Sequence, residues 1–200
     1  MSSNTLRALL IGLLVGILAL IGLTWHVLYG RQPAAENLPV LVDRSDVWFA
    51  DEKEKRLQVP KLGIDAKIET VGVTAEGNMA SPSTFHTVAW YKGGTAPGGI
   101  GSAVIAGHVD NALSVNGVFK ELHTLVPGDE VLVQTETAGT LRYRVVALEE
   151  YDYLNAPLKE IFDRNDGQYL NLVTCAGTWL SDRGTYDKRL IVYTELVPEG

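Results

Sequence analysis

A single thiol and four imidazoles set the limits on the chemistry this chain can carry out. Cys175 is the only cysteine among 200 residues, so it has no partner for an internal disulfide. It is a buried small apolar residue, a lipid attachment site or a working nucleophile. Lipidation is disfavoured because Cys175 lies far along the chain from the long apolar segment near the amino terminus. A thiolate attacking an amide needs an acid to protonate the departing amine, and histidine is the side chain best suited to that at neutral pH. Position separates the four histidines. His26 falls in the apolar segment, His123 in a short helical stretch typical of surface or capping residues, and His86 in a loop ahead of Trp90 and Tyr91. His108 ends the apolar run Ala103-Val104-Ile105-Ala106 and follows Gly107, so a buried strand delivers it to a tightly turned backbone. There it needs a partner or solvent, a requirement shared by structural and catalytic histidines.

Cys175 has the same setting. Tyr169-Leu170-Asn171-Leu172-Val173-Thr174 reads as a strand ending at the cysteine, and Ala176-Gly177 opens a loop. If residues 169–175 and 189–196 are adjacent antiparallel strands joined by a loop over 176–188, Arg189 falls beside Cys175. A permanent positive charge there would favour the thiolate and stabilise an oxyanion during acyl transfer. The competing reading pairs Arg189 with Asp182 or Asp187 on the surface. Arg183, in Leu180-Ser181-Asp182-Arg183-Gly184, belongs to a solvated turn.

The elements that position these residues are short. Runs rich in Val, Ile, Leu and Tyr between Gly, Pro and Asp predict strands over 57–59, 66–73, 102–107, 130–135, 141–151, 169–174 and 190–196. Apolar residues three or four apart predict short helices over 117–124 and 156–162. Pro127-Gly128-Asp129 predicts a turn and Ala138-Gly139 a hairpin tip. With no internal repeat and no alternation with long helices, the expected architecture is all-β: a closed or nearly closed antiparallel barrel.

Three segments are expected. Residues 1–30 form a short tail and a membrane anchor, because 8–30 contain no Asp, Glu, Lys or Arg. As a helix that stretch would reach about 34 Å, enough for a hydrocarbon core of about 30 Å. A cleaved signal peptide has a shorter apolar core, and Pro33-Ala34-Ala35 is a poor cleavage site. The first span with a short tail favours the amino terminus inside and the remainder outside the cytoplasm. Residues 31–55 read as a charged linker, and 56–200 as one domain. Beyond residue 31 lie all 24 carboxylates against 15 of the 17 basic residues, and 15 minus 24 gives a net charge of −9, which argues against nucleic acid as a partner. One cysteine and no i, i+4 histidine pair argue against a metal site, and the glycine-rich stretch over 93–101 lacks the Gly-Lys-Ser/Thr of a phosphate loop.

The same residues carry a resemblance to the sortases, most closely to their class F group. Its parts are Val59-Pro60-Lys61-Leu62-Gly63-Ile64-Asp65-Ala66, then Thr87-Val88-Ala89-Trp90-Tyr91 leading to Ala96-Pro97-Gly98, then Gly101-Ser102-Ala103-Val104-Ile105-Ala106-Gly107-His108-Val109-Asp110. Leu172-Val173-Thr174-Cys175 and Arg189-Leu190-Ile191-Val192-Tyr193 complete it, with Asn171 where the Thr-Leu-x-Thr-Cys signature has its first threonine. The resemblance implies a sortase barrel of about eight strands in which Cys175 is the nucleophile, His108 the proton donor and Arg189 the group on the substrate carbonyl and oxyanion. Thr174 would help position substrate. No cofactor is implied. The partners implied are exported proteins with an LPXTG-like carboxy-terminal sorting signal, and an amine acceptor such as a cell-wall precursor or a pilin lysine, met at the lipid bilayer.

Other readings are open. The L,D-transpeptidases also use Cys, His and Arg but in a Gly-Cys-x-Arg arrangement that Thr174-Cys175-Ala176-Gly177 lacks. A hydrolytic cysteine peptidase would resolve the same acyl-enzyme with water. A tethered β-barrel binding module would keep Cys175 as an inert core residue.

Overall fold

The computed structural model describes residues 55–110, 115–135 and 139–198. The expected anchor and most of the expected linker lie outside them. No helix among the described residues is long and apolar enough to cross a membrane.

Eight strands are present: β1 (Arg56–Val59), β2 (Ile64–Val71), β3 (Val88–Tyr91), β4 (Gly101–Ala106), β5 (Glu130–Gln134), β6 (Thr140–Asp152), β7 (Gln168–Leu180) and β8 (Thr185–Leu196). One short helix, α1 (Leu158–Phe162), sits in the β6–β7 connection, and one-turn 3₁₀ segments occupy Pro60–Leu62 and Leu122–Thr124. The strands close a barrel in the order β1-β2-β3-β4-β7-β8-β6-β5, with β5 returning to β1. The expected all-β barrel is thus present.

Three features differ from expectation. The barrel is not wholly antiparallel, because β2 pairs β3 and β4 pairs β7 in parallel. Parallel neighbours need long crossovers, which residues 72–87 and 107–167 supply. Strand β3 stands where a loop was expected: its four residues are all buried, so it lacks the polar alternation that marks a half-exposed strand. The expected helix over 117–124 shrinks to turns and the one-turn segment, whereas the expected helix over 156–162 contains α1.

Alternation along the central strands divides the interior in two. Ala103, Ile105, Leu170, Leu172, Leu190 and Val192 face the barrel lumen with Leu57, Trp90, Val131 and Tyr143. Their neighbours Val104, Ala106, Val173 and Ile191 point outward, where Met79, Ile161 and Phe162 cover them. Both faces of β4 are therefore buried, which explains its unbroken apolar sequence.

Candidate active site

The two-residue period that sorts these faces also sorts the chemical groups. Counting on from Val104 and Ala106 reaches His108, from Asn171 and Val173 reaches Cys175, and back from Tyr193 and Ile191 reaches Arg189. All three belong to the outward face, at the same rim of the barrel. In the β7–β8 ladder Cys175 lies directly opposite Arg189. The two strands are thus hairpin neighbours as expected, but the loop expected over 176–188 is largely strand. Both strands run on to Leu180 and Thr185, and a bulge between Ala176 and Trp179 interrupts the register. Gly177 makes the bulge possible: its φ is +80°, and a Cβ there would lie 2.1 Å from Asp187 Oδ1.

The β4–β7 pairing extends past Ala106 and Val173 into the site. Gly107 N donates to Val173 O at 3.0 Å and Thr174 Oγ1 donates to Gly107 O at 2.8 Å, holding the turn that carries His108 against the strand that carries Cys175. Gly107 also allows the Phe119 ring to close on this turn, since a Cβ would lie 2.6 Å from it. The His108 Nε2 lies 3.2 Å from Pro82 O, and because a carbonyl only accepts, that bond puts the proton on Nε2. The Phe85 ring stands 4.9 Å from the imidazole, centroid to centroid.

Arg189 is wholly buried, against the expectation for a surface ion pair. Its Nη1 donates to Tyr186 O at 3.0 Å and Lys188 O at 2.8 Å, and its Nη2 donates to Thr185 Oγ1 at 2.9 Å. The ring of Tyr153 lies 5.5 Å from the guanidinium carbon. The two acids of the competing reading are engaged elsewhere: Asp182 with Arg183 at 3.8 Å, and Asp187 with the Thr178 amide at 2.6 Å. Arg183 is more than half exposed on the β7–β8 turn, yet it donates to Tyr153 Oη at 2.5 Å, so it is not free.

Thr174 and Cys175 line a cleft of about 390 Å³ together with Asp110, Lys120, Glu150 and Tyr186. His108 and Arg189 lie behind its wall, with no exposed surface. The sequence argument placed His123 away from the chemistry, but it too lines this cleft, and its Nδ1 lies 3.2 Å from Lys120 O, a cap on its own turn. Asp110 and Tyr186 had no assigned role. The Tyr186 hydroxyl donates to Asp110 Oδ1, and Lys120 Nζ approaches Asp110 Oδ2 at 3.3 Å. Burial, followed by the Asp110 bond, raises the Tyr186 phenol above its usual range, so it remains a neutral donor. The sign available in sequence was the Val109-Asp110 step beside His108, which carries a carboxylate into the mouth of the site. A larger cavity of about 620 Å³ borders β6, β8 and α1, and contains neither thiol nor imidazole. No cluster of metal-ligating side chains occurs among the described residues.

Asn171, the departure from the family signature, donates through Nδ2 to Ile161 O at 2.7 Å. Its amide ties the last turn of α1 to the outer face of β7, a reach a threonine hydroxyl lacks.

Comparison with solved structures returns the same barrel. The chain resembles a Clostridium perfringens sortase D5 transpeptidase at 21% identity and TM-score 0.55, over 74% of this chain and 80% of that one. For Corynebacterium diphtheriae sortase A the values are 19% and 0.56, over 76% and 63%. For Streptococcus agalactiae sortase C1 they are 18% and 0.58, over 82% and 81%. At such identities the likeness is one of fold. No curated protein matches the chain. The sortase domain model matches residues 57–197, and with that match spanning most of its length, this single-cysteine barrel belongs to the sortase family of cysteine transpeptidases.

Proposed function

We propose that the chain is a membrane-anchored transpeptidase that cleaves an LPXTG-like sorting signal through a thioacyl-enzyme on Cys175 and passes the acyl group to an amine. The observation that carries this reading is the placement of the chain's one thiol at the wall of a cleft, opposite Arg189 in the β7–β8 register.

In the proposed reaction the Cys175 thiolate adds to the carbonyl of the signal's threonine, and Arg189 hydrogen-bonds the oxygen that gains charge. To do so its guanidinium exchanges part of its bonding to Tyr186 O, Lys188 O or Thr185 Oγ1 for the substrate. The tetrahedral adduct collapses with cleavage of the C–N bond, and His108 protonates the departing amine. Neutral imidazole is then ready to take a proton from the acceptor amine, whose attack forms the new amide and releases the thiolate. Thr174, bonded to Gly107 O, keeps the strand end in place for the incoming peptide.

The class F reading rests on the motif order around His108. Membrane attachment rests on the uncharged stretch over 8–30, and a cell-wall precursor or pilin lysine as acceptor rests on the family resemblance.

The test is trapping. Full-length chain incubated with an LPXTG-like peptide should gain the mass of its acyl fragment on Cys175, while Cys175→Ala should gain none. His108→Ala should lose at least about 10²-fold in amide formation with an added amine. His123→Ala should keep most of its activity. An adduct on any other residue, or an inactive His123→Ala beside an active His108→Ala, would overturn the assignment.

A further inference from the structure

The cleft beside Cys175 contains an ion pair with both partners in its lining that the proposed reaction leaves without a role. Asp110 follows His108 by two residues, at the mouth of the site, with its carboxylate only 16% exposed. One oxygen accepts from the Tyr186 hydroxyl, which belongs to the β8 end of the hairpin. The other receives a primary ammonium, Lys120 Nζ, at 3.3 Å. The structure therefore presents a carboxylate held in a fixed position by a neutral donor, with its free lobe occupied by an alkylammonium, in the cleft that Cys175 lines. The Lys120 side chain is 38% exposed and reaches this carboxylate from a surface turn, so it can swing out without disturbing the core. An amine that enters the cleft to attack a thioester on Cys175 arrives mostly as an alkylammonium, the same chemical group as Lys120 Nζ.

We infer that Asp110 is the docking group for the acyl acceptor, and that Lys120 holds its place until an acceptor displaces it. This inference rests on the transpeptidase reading of the Cys175 cleft. The acceptor class this pairing supports is a primary amine that arrives as its ammonium, the group Lys120 Nζ supplies. The ammonium docks on Asp110 and loses one proton to water, which leaves the free amine. That amine attacks the thioester carbonyl and the C–N bond forms; its second proton passes to the neutral imidazole left after acylation, the C–S bond breaks, and the thiolate and imidazolium are restored. Tyr186 keeps the Asp110 carboxylate turned toward the cleft, and the partial burial of that carboxylate strengthens its hold on a cation relative to a solvated one.

The competition between nucleophiles tests this directly. Full-length chain is given an LPXTG-like reporter peptide with either triglycine or hydroxylamine, and the ratio of acyl transfer to hydrolysis is measured from the products. Both outcomes share one acyl-enzyme, so the ratio is insensitive to how fast the acyl-enzyme forms. Triglycine is cationic at neutral pH and hydroxylamine is not. Asp110→Asn should lower the triglycine ratio about tenfold, the size expected for losing a charge-assisted hydrogen bond, and leave the hydroxylamine ratio within twofold. Lys120→Met should raise the triglycine ratio, because it vacates the carboxylate, and it keeps the proposal testable if Asp110→Asn fails to fold. Equal losses for both nucleophiles in Asp110→Asn, or a lowered triglycine ratio in Lys120→Met, would overturn the inference. Failure of wild-type chain to form the Cys175 adduct, read separately by mass, would instead remove the functional reading on which it depends.

Discussion

Replacing Arg189 by lysine separates its chemistry from its structural work. The guanidinium is fully buried and places three bonds, at 2.8, 2.9 and 3.0 Å, on two backbone carbonyls and a hydroxyl. A lysine ammonium keeps the charge but is a point donor on a flexible stem, and cannot reach all three acceptors while also meeting a substrate oxygen. If one of the three bonds is lost, the folded state is weakened by about 1.5 to 3 kcal/mol, the range for hydrogen bonds to charged groups. A domain with about 5 to 15 kcal/mol of stability survives that loss. The catalytic effect is separate: loss of a fixed oxyanion donor costs about 10² to 10³ in turnover. Arg189→Lys should therefore melt a few degrees lower, remain folded at 25 °C, and show kcat/KM at least about 10²-fold below wild type for an LPXTG-like reporter peptide. Arg189→Ala should lose as much activity and more stability, since it leaves the buried Thr185 hydroxyl and two part-buried carbonyls without their donor and opens a cavity. The assay pairs kcat/KM with thermal unfolding on the same full-length preparation. A lowered melting temperature with kcat/KM within threefold of wild type in Arg189→Lys would make this arginine a structural pin and remove it from the reaction.

Arg183→Ala should stay within about fivefold of wild type in kcat/KM, because its side chain is exposed and Tyr153 is also held by its own amide to Asp187 O at 3.0 Å; a larger loss would mean that the Arg183–Tyr153 bond sets the pose of Arg189. Burial raises the Tyr143 phenol to about 12 from its ordinary 10, so the neutral form is favoured in the folded state. Its contribution is complete below pH 10 and is lost as pH rises toward 12; Tyr143→Phe should flatten the alkaline limb of a stability-against-pH curve, at about 1 kcal/mol of neutral stability from the orphaned Gly98 amide. An unchanged alkaline limb would place the titration elsewhere. Protease added to intact protoplasts should remove the catalytic domain from the membrane fraction, and full protection would refute the proposed topology.

The parts of the site visible in sequence were those set by local pattern. A strand ending in a thiol, a strand beginning with an arginine and a single loop between them imply the Cys175–Arg189 register without knowledge of the barrel. The expectation for His108 rested on the same kind of pattern, an apolar run that ends in Gly107. What depended on distant packing was not visible. The four residues Val88–Tyr91 are a strand because Ile68–Val71 lie beside them in parallel and β4 pairs with them on the other side. Gly177 has the composition of a loop, but Asp187 accepts from the Thr178 amide and turns the interruption into a bulge in a longer hairpin. The cleft positions of His123, Asp110 and Tyr186 follow from the meeting of the β4–β5 connection with β8, a contact between segments far apart in the chain.

The parallel seam between β4 and β7 has a consequence for the order in which the enzyme comes into being. It joins Gly107 to Thr174 across 67 positions, so His108 is synthesised long before Cys175. A chain ending before β7 lacks the neighbours that β4 and β6 have in the closed barrel, which leaves both as open edges. The final hairpin closes that gap and brings in both Cys175 and Arg189. The strands that close the barrel are therefore the same ones that set Cys175 opposite Arg189, and a truncated or half-emerged chain lacks both residues.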